Sequence, residues 1–312
     1  MSTAVADVAL YLLGVPRIVV GDAPQRMPYQ KVTALLAYLA VTARSHSREA
    51  LATLLWGQAD DRRAHNSLRN ALYVLRQQLD PASPLITAHR QIALDLDQVW
   101  IDLDHFRPVI DDQAATVSAL QDALGLWRGP FLDGLFVKDA PDFNRWVTHT
   151  REQLDRCHRQ GYLALSRILV KSGQWEHALD AALQSLTSDP LHEASHRQVM
   201  RIHLRTGNRV AALQQYEQCR AILLDELGVA PDARTHALRD QALKKNRAQA
   251  QVGQPLPSKR GREPTVFVGR QREMQALDEH LRTVRDQAVG RLILVEGEAG
   301  VGKTRLVNEW LS

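Results

Sequence analysis

Three groups of residues carry types and spacings that suit chemistry. The first is Gly297, Gly300, Gly302, Lys303 and Thr304, which fit G-x-x-x-x-G-K-[ST]. In such a loop the glycines let backbone N–H groups wrap a phosphate, the lysine reaches the β/γ-phosphates and the threonine hydroxyl ligates Mg²⁺. The apolar run Leu292–Val295 precedes it as a buried strand, and a helix is expected from about Lys303. Only eight residues follow Thr304. That leaves no further strand, acidic metal partner or water-positioning residue. The chain as it stands is therefore expected not to be an enzyme, and to be a truncated form in which ATP and Mg²⁺ bind only if the domain is completed.

The second group lies between Asp61 and Leu79. At 100° per residue, Ala64, Leu68, Leu72, Leu75 and Leu79 share one helical face. Arg62, Arg63, Asn66, Arg69, Asn70, Tyr73 and Gln77 fall on the other, and Arg76 adds a fourth arginine to the helix. No acid lies between Arg62 and Leu79. Arginine pairs bidentately with guanine, asparagine with adenine, and several such side chains hold phosphates. A merely solvated amphipathic helix is the alternative.

The third group, His192-Glu193-Ala194-Ser195-His196, fits the H-E-x-x-H zinc-protease pattern. Its extension fails, because position 199 is valine and position 202 is isoleucine. His196 is expected to pack within the helical region, with no metal site.

The elements around these residues decide between the readings. Residues 8–13 and 16–20 read as short strands, followed by a helix after Pro28. Ser47 is a plausible N-cap for a second helix ending at Gly57, and the arginine-rich helix is the third. Leu85–Thr87 and Gln91–Leu94 form a hairpin with Arg90 at its turn, and Val99–Leu103 reads as one more strand. A polar, basic third helix after a short helix and before a hairpin matches a winged helix-turn-helix, so the DNA-contact reading prevails and Arg90 becomes the wing residue. Residues 1–105 contain ten basic and ten acidic side chains. Binding must then rest on a local basic face.

From about Phe106 to Leu243 the pattern is helical. Gly173, Ala178 and Leu179 recur as Gly207, Ala212 and Leu213, an offset of 34 residues. That is the tetratricopeptide period of two antiparallel helices per unit, and Pro190 marks a helix start. Trp127, Trp146 and Trp175 read as packing anchors. The organisation expected is a DNA-binding domain over 1–105, helical repeats over 106–243, a basic Pro/Gly linker over 244–264, and the start of a P-loop domain over 265–312. The fold class is mainly α, with an α+β winged start, all-α repeats and an α/β fragment.

Hydrophobic residues make up 45% and charged residues 24% of the 312, with a net charge of +4. These are globular values that exclude wholesale disorder. Cys157 and Cys219 are too few for a disulfide framework or zinc module, which favours a reducing cytoplasm. Val8–Val20 is interrupted by Gly14, Pro16 and Arg17 and lacks signal-peptide features.

Several stretches are similar to those of a known family. They are Ala71 to Leu79 in the third helix, Leu126-Trp127-Arg128-Gly129-Pro130-Phe131, Asp189 to Glu193, and Ala211–Tyr216 continuing through Leu224–Pro231. Over about residues 8–243 the chain resembles SARP-type regulators with a bacterial transcriptional activator domain. Val268-Gly269-Arg270 resembles the adenine-side motif of STAND-class signalling ATPases, which implies Val268 and Arg270 as nucleotide contacts. The resemblance implies a cytoplasmic activator with an OmpR-type winged domain. It further implies reading of direct repeats near promoters in dimeric or tandem arrangement, and contact with RNA polymerase. The wing departs from the family, with His89-Arg90-Gln91-Ile92 where a glycine and an aromatic residue are common. The competing reading is a nucleotide-switched ATPase whose N-terminal region binds only proteins.

Overall fold

The computed structural model describes residues 7–88, 90–252, 271–287 and 310. The chain divides into two units at Val252/Gly253.

The first unit opens with β1 (Val8–Tyr11), β2 (Arg17–Val20) and β3 (Ala23–Gln25). Helices α1 (Gln30–Thr42), α2 (Arg48–Trp56) and α3 (Asp61–Gln78) follow, with the two-residue strand β4 (His46–Ser47) before α2. Strands β5 (Leu85–Ala88) and β6 (Gln91–Leu94) form the expected hairpin, and β7 (Val99–Ile101) leads directly into α4 (Asp102–Asp111). One sheet has the order β3-β2-β1-β7, with β1 antiparallel to β2 and parallel to β7. Leu10 thus lies between Ile18 and Ile101. The second sheet, β4-β6-β5, is the wing.

The remaining helices are α5 (Val117–Gly125), α6 (Pro141–Lys171), α7 (Trp175–Ser188), α8 (Glu193–Arg205), α9 (Arg209–Leu227) and α10 (Ala233–Val252). The repeat has matching geometry in both copies. Gly173 and Gly207 adopt φ of +75° and +81°, closing α6 and α8 with the left-handed residue that glycine tolerates best. Ala178 and Ala212 are fully buried, where only a small side chain lets adjacent helices approach. The expected start at Pro190 moves three residues on, because the chain turns at Pro190 and Leu191 before α8 begins at Glu193.

The winged region and the repeats share one core. Phe131 is buried and meets Trp146 edge-on at 5.7 Å, and Trp146 meets Tyr38 of α1 at 4.9 Å. The segment after α5 lies along the end of β1 like an added strand. Gly14 N–H donates to Pro130 O (3.1 Å), Arg128 N–H to Leu13 O (3.3 Å), Leu132 N–H to Leu12 O (2.9 Å) and Asp133 N–H to Gly14 O (2.9 Å). Arg151 of α6 secures this segment from behind, donating to the carbonyls of Phe131 and Leu132, both at 2.6 Å.

Gly14 is essential to that approach. Its φ is +111°, and a Cβ there would sit 3.1 Å from Arg128 Cβ and 3.2 Å from the Arg128 carbonyl carbon. Gly14→Ala is expected to destabilise the unit by about 1–3 kcal/mol. Urea unfolding measures it, and an unchanged midpoint would show that the added segment shifts freely.

Two boundaries differ from the sequence expectation. The strand expected over Val99–Leu103 ends at Ile101, since Asp102 starts α4. α4 therefore spans the expected 105/106 division. At the other end α10 continues to Val252, through residues assigned to the linker. In the second unit α11 (Gln271–Gln287) is described, and Trp310 Nε1 donates to Asp278 at 2.8 Å. No helix among the described residues is long and apolar enough to cross a membrane.

Candidate nucleic-acid interface

α3 begins at an Asp60 cap whose carboxylate accepts from Arg63 N–H at 3.0 Å. Ala64, Leu68, Ala71, Leu72 and Leu75 are buried against the core. Arg62, Arg63, Asn66, Arg69, Asn70, Tyr73, Arg76 and Gln77 are all exposed. The structure therefore brings the expected α3 contact residues onto a solvent-facing surface.

Those side chains are partly ordered before any ligand arrives. Arg69 Nη2 donates to Asn66 Oδ1 at 2.5 Å, leaving other guanidinium donors available. Asn70 Nδ2 donates to Tyr29 OH at 3.4 Å, and Gln77 Nε2 to Tyr73 OH at 2.6 Å. Arg63 pairs with Asp60 at 3.2 Å, an exposed pair that a phosphate would displace at small cost. Arg76 Nη2 reaches across to Thr87 Oγ1 of β5 at 2.5 Å, fixing the helix to the wing.

The wing itself is pinned at both sides. Arg90 is exposed at the hairpin turn with φ of +71°. Its carbonyl accepts from Arg48 N–H at 3.1 Å, at the start of α2. β4 pairs His46 with Ile92 and Ser47 with Gln91, and the Ser47 hydroxyl also caps α2 by accepting from Ala50 N–H. His46 is buried, 2.7 Å from Thr42 Oγ1 and 4.9 Å from the Tyr38 ring. Burial, with Arg44 nearby, lowers its pKa and keeps the imidazole neutral at physiological pH.

Sequence reading missed Tyr29 and Thr87. Tyr29 stands 41 residues before its partner Asn70, and nothing in local periodicity pairs them. Val268, Arg270, Gly297, Gly300, Gly302, Lys303 and Thr304 lie outside the described residues, as does His89 of the wing turn.

The H-E-x-x-H residues have structural partners. His192 precedes α8 and its Nδ1 lies 2.8 Å from Ser195 Oγ. His196 is buried with Nε2 2.8 Å from Pro190 O and Nδ1 2.7 Å from Gln215 Nε2, so both ring nitrogens are engaged. Trp127 stacks on His158 at 4.2 Å and lies against Phe106, the packing role expected of it.

Residues 107–243 match the family model of the bacterial transcriptional activator domain, and residues 266–312 match that of an AAA ATPase domain. The transcriptional regulatory protein EmbR of Mycobacterium tuberculosis is 26% identical over 303 residues, covering 90% of this chain and 74% of that protein. Regulatory protein AfsR of Streptomyces coelicolor is 26% identical over 301 residues, covering 89% of this chain and 29% of AfsR. The solved structure of M. tuberculosis EmbR in complex with a low-affinity phosphopeptide matches with a TM-score of 0.63 and 22% identity, covering 91% of this chain and 72% of that one. That likeness shows a shared fold. Residues 107–243 thus carry a bacterial transcriptional activator domain, and the chain as a whole is similar to the SARP-type bacterial transcriptional regulators.

Proposed function

We propose that the chain activates transcription by binding promoter DNA with α3 in the major groove and Arg90 on the adjacent backbone or minor groove. The observation that carries this reading is the exposed face of α3. It presents Arg62, Arg63, Asn66, Arg69, Asn70, Tyr73 and Arg76 together, without an acidic residue from Arg62 to the helix end. Arg69 and Asn70 are the base readers, and Arg62, Arg63 and Arg76 hold phosphates. Copies bound side by side on direct repeats would then present their helical repeats to RNA polymerase. ATP with Mg²⁺ enters only through a complete ATPase domain.

Genome-wide capture of DNA by this chain, with an α3 variant as control, tests the reading. The expected result is enrichment of a short tandem repeat upstream of genes, lost in the control. Equal enrichment by both proteins would remove α3 from recognition.

Arg90 gives a separate expectation. As a phosphate contact, its replacement by alanine weakens binding to every sequence alike and lowers the slope of log K against log salt by about one. Affinities measured over a KCl series check this, and an altered base preference would instead place Arg90 on a base edge.

A further inference from the structure

The 34-residue repeat carries a second pattern besides its glycines and alanines. Arg167 recurs as Arg201 and Lys171 as Arg205, each 34 residues on. The first pair lies on α6 and the second on α8, the leading helices of consecutive units. Equivalent positions in stacked repeats lie in register, so these cations form a ladder. Arg234, in the first turn of α10, extends it. All five are exposed.

Arg201 stands at the centre of this group. Burial of part of its side chain, with the guanidinium groups of Arg197, Arg167, Arg205 and Arg234, holds its pKa below the ordinary arginine value. Arg197 has its own counter-charges in Glu193 (3.6 Å) and Asp232 (2.7 Å). Arg167, Lys171, Arg201, Arg205 and Arg234 make no salt bridge with any described residue. Like charges gathered without ion-pair partners repel one another, and a bound anion relieves that repulsion.

One end of the ladder opens on a cavity of about 550 Å³ between α4, α5, α6 and the start of α8. Arg167 and Lys171 line one side, Asp111 and Asp112 another, and Leu120 and Leu163 supply apolar wall. That volume falls in the range that accepts a ligand group or a large side chain.

We propose that this face docks an extended acidic segment of a partner protein, its carboxylates on the arginine ladder and one apolar side chain in the cavity. The spacing suits a peptide. An extended chain advances about 3.3 Å per residue, so carboxylates three residues apart span about 10 Å. Packed helices lie about 8–10 Å apart, which sets the distance between successive rungs. A nucleic-acid backbone suits the face less well, because it offers the leucine-walled cavity no apolar group.

The test uses the whole chain and a fluorescein-labelled peptide of about a dozen residues, glutamates spaced by glycines around one central leucine. Fluorescence anisotropy should show saturable binding. Arg201→Glu/Arg205→Glu should weaken it at least about tenfold. The neutral variant Arg201→Gln/Arg205→Gln should fall between, and a peptide with serine for the leucine should bind more weakly to the wild-type chain. Thermal melting of both variants should be no lower than wild type, since neither arginine has an ion-pair partner to lose and each replacement relieves repulsion among the cations. Binding to operator DNA, which α3 carries, should not change. Failure of the wild-type chain to bind the peptide, or equal binding by the charge-reversed variant, would overturn the proposal. So would displacement of the peptide by random duplex DNA whose own affinity falls in the variant, since that would make the face a DNA contact.

Discussion

Replacing Arg69 and Asn70 together by alanine is expected to reduce operator affinity by about 2–6 kcal/mol, a loss of roughly thirtyfold or more, from two bidentate base contacts at about 1–3 kcal/mol each. Affinity for random duplex DNA should fall far less, because one arginine among several phosphate-reaching cations is removed. Fold stability should hold, since both residues are exposed and their contacts to Asn66 and Tyr29 are surface hydrogen bonds. Gel shifts on operator and random duplexes, with thermal melting alongside, separate the three quantities. An equal loss on both DNAs would make Arg69 and Asn70 backbone contacts and move base reading elsewhere on α3.

Asp102→Ala should produce the second large effect, on stability. The Asp102 carboxylate is completely buried at the first residue of α4. Its Oδ2 accepts from Leu12 N–H (2.8 Å) and Leu13 N–H (2.9 Å) and lies 3.6 Å from Arg128 Nη2. Alanine leaves two buried amides without an acceptor and Arg128 without its counter-charge, which costs about 3–5 kcal/mol. Urea unfolding at neutral pH measures it, and a loss below about 1 kcal/mol would mean that water replaces the carboxylate.

The same group sets a pH dependence. Burial raises its pKa above the usual 3.8, against the opposing pull of the Leu13 and Leu12 amides and Arg128. As pH rises through 3.8 the unfolded chain loses this proton first. Stability from this group therefore falls until the pH passes the raised folded value, and is level above it. Asp102→Asn, which keeps an acceptor and cannot ionise, should lack that step. Unfolding midpoints of both proteins across the carboxylate range would show it, and parallel profiles would remove Asp102 as the source.

The contrast between α3 and Asp102 shows what the sequence made legible. The α3 face rests on local periodicity, with arginines on one side, leucines on the other and no acid between. Arg90 was readable because the hairpin strands bracket it. Asp102 looked like a polar residue within a strand, because its partners Leu12 and Leu13 lie about ninety residues earlier. The segment Arg128–Asp133 falls within the span that reads as helical, yet it contains Gly129 and Pro130 and its backbone pairs with the end of β1. β4 has only two residues, too few for any alternation to show. The basic ladder on α6 and α8 shares the 34-residue offset, but its positions are exposed and carry none of the packing constraint that marks the repeated glycines and alanines.

The strand-like attachment of Arg128–Asp133 to β1 has a consequence for promoter geometry. A domain tethered by a flexible linker can swing to meet its partner from any side of the duplex. Here the repeats are bonded to the end of β1 and share one core with α3, so the bound operator dictates which way they point. The double helix turns once in about 10–10.5 base pairs. Moving the operator by half that distance would carry the repeats to the opposite side of the DNA, and moving it by a full turn would restore them. Activation by this protein should therefore depend on the rotational phase of its operator relative to the promoter, as well as on the distance between them.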